Sequence, residues 1–130
     1  MTLSRTPSQT VGPFFTIGLC RRRENELVPD GVRLAGRLLD GQDEPVNDGV
    51  IELFDAASRR WGRCGTDAEG RFSFRVHPDT PHVEAYVFAR GLLKHQLTRI
   101  RLSDAEQEDD GALRFDIRLQ GERQTVFFAV

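Results

Sequence analysis

Short runs in which apolar and polar side chains alternate constrain the fold of this chain more than any other feature. Leu113-Arg-Phe-Asp-Ile-Arg-Leu119 and Arg71-Phe-Ser-Phe-Arg-Val76 carry apolar residues at every second position. Because successive side chains of a β-strand point to opposite faces of a sheet, each run predicts a strand with one buried face. Turn signals such as Asp40-Gly41 and Asn47-Asp48-Gly49 separate neighbouring runs. The pattern predicts an all-β protein.

Repetition of such runs along the chain predicts an antiparallel β-sandwich of seven to eight strands. The length of 130 residues suits one domain with a real core. We expect residues 1–31 to form an N-terminal arm, residues 32–130 the single sandwich domain, and the acidic segment 103–111 a solvated loop or one helical turn. The predicted core comprises Leu34, Leu38, Ile51, Leu53, Phe72, Phe74, Val83, Val87, Ile100, Phe115, Ile117 and Leu119.

Composition excludes several classes of function. The formal net charge is −2 and arginines are interleaved with acids, which argues against a nucleic-acid partner. No apolar run has the length of a membrane span, and the N-terminus lacks the apolar core of a signal peptide. We therefore expect a cytoplasmic protein with no membrane partner, in which Cys20 and Cys64 are free thiols.

The segment Pro81–Arg90 has the most chemically varied strand face. In an extended strand, His82, Glu84, Tyr86, Phe88 and Arg90 share one face, and small apolar residues occupy the other. An imidazole, a carboxylate, a phenol and a guanidinium on one face predict a functional surface. A solvated outer face with an ion pair between Glu84 and Arg90 explains the same pattern.

Several stretches, in this order along the chain, point to a known family. They are Thr6-Pro-Ser-Gln-Thr-Val-Gly-Pro-Phe-Phe15, Gly65-Thr-Asp67 with Gly70-Arg-Phe72, Pro81-His82, Val87-Phe-Ala-Arg-Gly-Leu-Leu-Lys94, Thr98-Arg-Ile100, Arg114-Phe-Asp-Ile-Arg-Leu-Gln-Gly121 and Thr125-Val-Phe-Phe128. Together they resemble the α chains of protocatechuate 3,4-dioxygenases, which belong to the ferric intradiol ring-cleaving dioxygenases. The resemblance implies a sandwich that pairs with a homologous β chain, with the active site between the two chains.

The resemblance also implies that this chain holds no iron. In the family, two tyrosinates and two histidines of the β chain bind ferric iron, a hard acid suited to phenolate and imidazole. Here the single tyrosine, Tyr86, does not match either tyrosine position; His82 matches the first histidine and Glu84 stands at the second. The connections 54–61 and 75–81 look shorter than those that carry the family's tyrosines. We therefore predict no cofactor in this chain and ferric iron in its catalytic partner.

Five residues match family positions that line the substrate pocket: Thr10, Gly12, Pro13, Phe14 and Arg90. Gly12-Pro13 would form a stiff, low edge against a flat aromatic ring. Arg90 offers a planar fork for the carboxylate of a carboxylated catechol at the interface. The partner is a β-like catalytic chain or, alternatively, a second copy of this chain bound through the same arm.

Two other functions stay open at this point. The segments 36–45 and 66–72 also resemble transthyretin-like and carboxypeptidase-regulatory-like sandwiches, which mostly bind or assemble without catalysis. A new metal site could use His82 and Glu84 with His77 or His95, although two candidate ligands do not make a site.

Overall fold

The structure, a computed structural model, describes residues 24–89 and 95–119. This part of the chain consists almost entirely of strands. The elements are β1 (Val32–Leu39), β2 (Val50–Asp55), β3 (Arg60–Gly65), β4 (Arg71–Val76), β5 (His82–Phe88), β6 (Gln96–Arg101), a 3-10 turn (Leu102–Asp104), β7 (Glu106–Gln107), β8 (Leu113–Arg114) and β9 (Ile117–Arg118). The predicted strand at 125–130 lies outside the described residues.

The strands form two sheets around one core. The first sheet has the order β4-β1-β8-β7, with β9 also paired to β1. The second sheet has the order β3-β2-β5-β6, and every neighbouring pair in it is antiparallel. The predicted β-sandwich is confirmed, but the first sheet is mixed because β8 and β9 run parallel to β1.

The core is built from the inward positions of both sheets. Ten of the twelve predicted core residues are buried, and Phe115 and Leu119 are partly buried against them. Removing a side chain such as Phe74 from water contributes about 1.5–3 kcal/mol to stability. Leu27, which the sequence analysis placed in the arm, is also buried in this core.

The clean alternation at 113–119 does not give one continuous strand, so that prediction is wrong in detail. The parallel register against β1 is the same at both ends, with Leu34 opposite Leu113 and Leu38 opposite Ile117. Between them the backbone N–H of Arg37 donates to the Asp116 carboxylate at 2.9 Å. A side-chain acceptor therefore interrupts the backbone ladder. In the segment 103–111, the 3-10 turn fulfils the predicted helical turn, and β7 adds an unpredicted short strand.

The segment 24–28 joins the two sheets at one edge. The Glu24 carbonyl accepts from the N–H of Arg63 in β3 at 2.8 Å, and the Asn25 carbonyl accepts from the N–H of Arg75 in β4 at 3.0 Å. These residues belong to the predicted arm 1–31, whose earlier part lies outside the described residues. The division of the chain at residue 31 stays a prediction.

Candidate functional site

The outward face of β5 occupies the middle of the second sheet, between β2 and β6. His82, Glu84, Tyr86 and Phe88 are partly exposed on it, while Val83, Ala85 and Val87 are buried on the opposite face. Because β5 has hydrogen-bonded neighbours on both sides, its outward side chains are held in a fixed register with those of β2 and β6. The predicted division of this strand into two faces is confirmed.

Glu84 is paired across the sheet. Its register partner on β6 is Arg99, whose Nη2 lies 3.7 Å from Glu84 Oε1. His82 stands opposite Arg101 in the same ladder. Two guanidinium groups therefore accompany the His82–Glu84 pair, and their positive charge opposes binding of a cation there. The expected alternative partner of Glu84, Arg90, lies outside the described residues.

The other end of β5 carries an aromatic cluster. The ring of His95 lies 5.7 Å from that of Tyr86 and 5.3 Å from that of Phe88, both in tilted arrangements. Such distances are typical of favourable aromatic pairs. Since Tyr86 pairs with Leu97 and His82 with Arg101, His95 and His82 lie toward opposite ends of the strand.

The described residues do not fit the family's ferric site. Tyr86 is the chain's one tyrosine, and its ring lies in the aromatic cluster. Nδ1 of His77, another candidate ligand, accepts the N–H of Asp79 at 3.1 Å. Within residues 24–89 and 95–119, no three His, Cys, Asp or Glu side chains converge as metal ligands would. No reaction step through iron can be assigned to these residues.

The contact between Arg63 and the exposed Trp61, on the same sheet, was not predicted from the sequence. The Arg63 guanidinium lies 5.4 Å from the centre of the Trp61 ring and 2.8 Å from Glu52 Oε1. Trp61 is 55% exposed, which is unusual for a large aromatic side chain. The signal was present in Arg60-Trp-Gly-Arg63, where alternation puts Trp61 and Arg63 on one face.

Asp55 is the most buried carboxylate of the second sheet and has a structural role. Its Oδ2 accepts from Thr80 Oγ1 at 2.8 Å and from Ser58 Oγ at 3.0 Å, and its Oδ1 accepts from the N–H of Ala57 at 3.1 Å. Burial alone would raise the pKa of Asp55, but these hydrogen bonds hold that pKa below its ordinary value. The side chain thus ties the β2–β3 turn to the loop before β5.

The predicted pocket residues Thr10, Gly12, Pro13, Phe14 and Arg90 all lie outside the described residues, so their roles stay predictions. Cys64 is a free thiol, as expected, and burial raises its pKa. Cys20 lies outside the described residues. Among residues 24–89 and 95–119, no helix has the length and hydropathy needed to cross a membrane.

Comparison with known proteins identifies the family. No family model matches the chain. The protocatechuate 3,4-dioxygenase alpha chain of Burkholderia cepacia is 32% identical over a 196-residue alignment that covers 99% of each chain. This chain belongs to the family of protocatechuate 3,4-dioxygenase alpha chains. The Pseudomonas putida protein of the same name is 29% identical over 194 residues, covering 97% of this chain and 96% of that protein.

Two further findings agree with this membership in the intradiol, aromatic ring-cleaving dioxygenases. The dioxygenase domain of a dioxygenase–carbohydrate-binding protein fusion from Streptomyces sp. SirexAA-E shares the fold, with a TM-score of 0.59 at 18% identity over 91% of this chain and 99% of that one. The alignment with the Burkholderia protein is longer than the 130 residues of this chain. That relative therefore has residues with no counterpart here; the shortening of the connections 54–61 and 75–81 stays a prediction.

Proposed function

We propose that this chain is an α-type subunit that binds no iron and lines the substrate pocket of an iron-bearing, β-type catalytic chain. One observation carries the proposal. A member of an intradiol dioxygenase family has a single tyrosine, Tyr86, where the resemblance implies that ferric iron needs two tyrosinates. The chemistry must then depend on ligands from another chain.

The surroundings of Tyr86 support the same conclusion. Its ring belongs to an aromatic cluster with His95 and Phe88. The carboxylate of Glu84, which stands at the second histidine position, already faces the Arg99 guanidinium. A hard trivalent cation at this face would have to displace that ion pair and approach Arg101 as well.

The contribution to the partner's pocket is assigned to the arm and to Arg90. Gly12 and Pro13 supply a stiff, low edge against the aromatic ring of the substrate, and Thr10 and Phe14 line the same pocket. The Arg90 fork pairs with the carboxylate of a carboxylated catechol such as protocatechuate, through two parallel charge-assisted hydrogen bonds. Both relatives are named as alpha chains, which supports a heteromeric assembly.

A second candidate function is a binding or assembly module without catalysis, built like transthyretin-like or regulatory-like sandwiches. The exposed Trp61, stacked with Arg63 on the outer face of the second sheet, favours it. Aromatic and arginine side chains are enriched at protein interfaces. In that case the chain binds a second copy or another protein through this face, and catechol cleavage does not depend on it.

Co-expression with a β-type chain distinguishes the pocket-lining subunit from the binding module. The expected result is a stable complex that cleaves protocatechuate, with markedly lower activity when this chain is omitted. Full activity of the β-type chain alone would contradict pocket lining and favour the binding module.

The substitution Arg90→Ala sharpens the test. Loss of a charge-assisted, two-bond contact should weaken binding of protocatechuate by about tenfold or more and leave binding of plain catechol nearly unchanged. Arg101→Ala, which removes an exposed arginine of the second sheet, is the matched control. Equal losses for both substrates in Arg90→Ala would assign Arg90 a structural role.

A further inference from the structure

A groove on the outer face of the first sheet lies on the side of the sandwich away from β5. Its floor is the outward face of β1, and its walls come from β4, β8 and the loop between β7 and β8. The volume is about 510 Å³, within the range of small-molecule sites. We call it the arginine groove, because Arg33, Arg37, Arg71 and Arg114 line it.

The register of β1 against β4 places arginines opposite arginines. Arg33 stands opposite Arg75 and Arg37 opposite Arg71, with the small pair Ala35 and Ser73 between them. Like charges directly across an antiparallel pair destabilise a sheet. Glu69 already pairs with Arg71, and Arg75 donates to the Gly31 carbonyl at 3.1 Å. The repulsion that an outside negative group could relieve is therefore centred on the two β1 arginines, Arg33 and Arg37.

Neighbouring side chains leave part of this charge uncompensated. Arg33 Nε donates to Ser73 Oγ at 3.2 Å, and Arg37 Nε donates to the Glu69 carbonyl at 3.0 Å. Both acceptors are neutral. Among the described residues, no carboxylate lies within ion-pair distance of Arg33 or Arg37. Each guanidinium has further N–H donors in a fork that suits a carboxylate or a phosphate.

The shape and rim of the groove restrict the size of the ligand. The small side chain of Ala35 keeps the centre of the floor low, so a molecule can lie between Arg33 and Arg37. Arg33 and Arg37 are four residues apart on β1, about 13 Å along an extended strand. The rim at Glu108, Asp109 and Asp110 is acidic and repels a long polyanion that extends beyond the floor.

We propose that the arginine groove binds a small organic dianion, with one carboxylate or phosphate group at Arg33 and the other at Arg37, next to Arg71. This site is separate from the outward face of β5 and does not depend on a catalytic partner. Two negative groups relieve the repulsion at both β1 arginines, whereas a monoanion relieves it at only one.

The double variant Arg33→Gln/Arg37→Gln separates a binding role from a structural one. It removes one member of each like-charge pair, so the unliganded chain should unfold at the same or a higher denaturant concentration. Ligand binding should weaken by about tenfold or more, because charge-assisted contacts are lost at both β1 arginines. Arg101→Gln removes an exposed arginine from the second sheet and should behave as the unsubstituted chain.

The experiment is a titration of the 130-residue chain, followed by backbone amide shifts, with adipate, fructose 1,6-bisphosphate and acetate as probes. We expect saturable shifts around residues 35–37, 71–73 and 113–114 with adipate or the bisphosphate, and much weaker ones with acetate. Stronger binding of adipate identifies a dicarboxylate ligand, and stronger binding of the bisphosphate a phosphorylated one; either supports the site. Absence of saturation with both adipate and the bisphosphate, or equal loss in Arg101→Gln and the double variant, would overturn the proposal.

Discussion

Arginines occupy cross-strand pairs on the outer faces of both sheets, but the charge of their partners differs between the two faces. In the second sheet Arg63 stands opposite Glu52 and Arg99 opposite Glu84, so both of these arginines face carboxylates. In the first sheet Arg33 and Arg37 stand opposite other arginines. The cross-strand pairs are thus oppositely charged on one face and like-charged on the other.

This difference assigns the two faces different partners. The second sheet, with its internal ion pairs and the exposed Trp61, suits contact with another protein surface. The first sheet, where Arg33 and Arg37 have no carboxylate partner among the described residues, suits a small anion. The described residues of neither face fit a ferric ion, since the arginines beside the carboxylates oppose a cation.

The largest loss of stability is expected from Gly36→Ala, which disturbs the packing beneath the floor of the arginine groove. A Cβ at this position would overlap the Phe115 carbonyl oxygen, a backbone atom that cannot move without displacing β8 and β9. We expect a loss of about 3 kcal/mol in the free energy of unfolding, measured by urea denaturation. Ala35→Ser, at the outward neighbouring position, is the control and should have little effect. An unchanged midpoint for Gly36→Ala would contradict the close packing beneath this face.

The next largest loss of stability is expected from substitution of Asp55, which stabilises the end of the second sheet. Asp55→Ala leaves the hydroxyls of Thr80 and Ser58 without their acceptor, and we expect a loss of about 2 kcal/mol. Because the folded-state pKa of Asp55 lies below the ordinary value of 3.8, its contribution is complete above that pH and is lost as the pH falls through the folded-state pKa. The variant should therefore lose part of the acid dependence of stability.

Asp79→Ala is the matched control for Asp55, because Asp79 is an exposed carboxylate in the adjoining turn. Denaturation curves between about pH 2 and pH 6 measure both variants. If Asp55→Ala retains the full acid dependence of the unsubstituted chain, the hydrogen bonds do not stabilise the ionised carboxylate.

The smallest expected effects are the coupling energies of cross-strand charge pairs, whose sign shows whether each pair attracts or repels. A double-mutant cycle at Glu52 and Arg63 should give a favourable coupling of about 0.5 kcal/mol, and a cycle at Arg37 and Arg71 an unfavourable one of similar size. Both couplings should shrink toward zero when the salt concentration is raised from about 0.05 M to about 1 M. The same sign for both cycles would remove the distinction between the faces.

The sequence predicted the strands and the buried positions because both follow from local alternation. It did not predict the partners across the sheets, because these depend on register between distant segments. An ion pair between Glu84 and Arg90 was the alternative explanation of the β5 face, and Arg90 lies outside the described residues. Local pattern gave no sign of Arg99, which the ladder places beside Glu84. Arg33 and Arg75, 42 positions apart in the printed sequence, meet only through the β1–β4 register. The interruption by Asp116 was equally hidden, since a carboxylate on the outer face looked like an ordinary solvated residue.

Iron content of the purified chain, measured without any β-type partner, tests the central claim most directly. Metal analysis and the visible absorption of tyrosinate bound to ferric iron should be recorded together. We expect far less than one iron per chain and no such absorption, with both present when a β-type chain is added. Stoichiometric ferric iron with tyrosinate absorption in the isolated chain would contradict it.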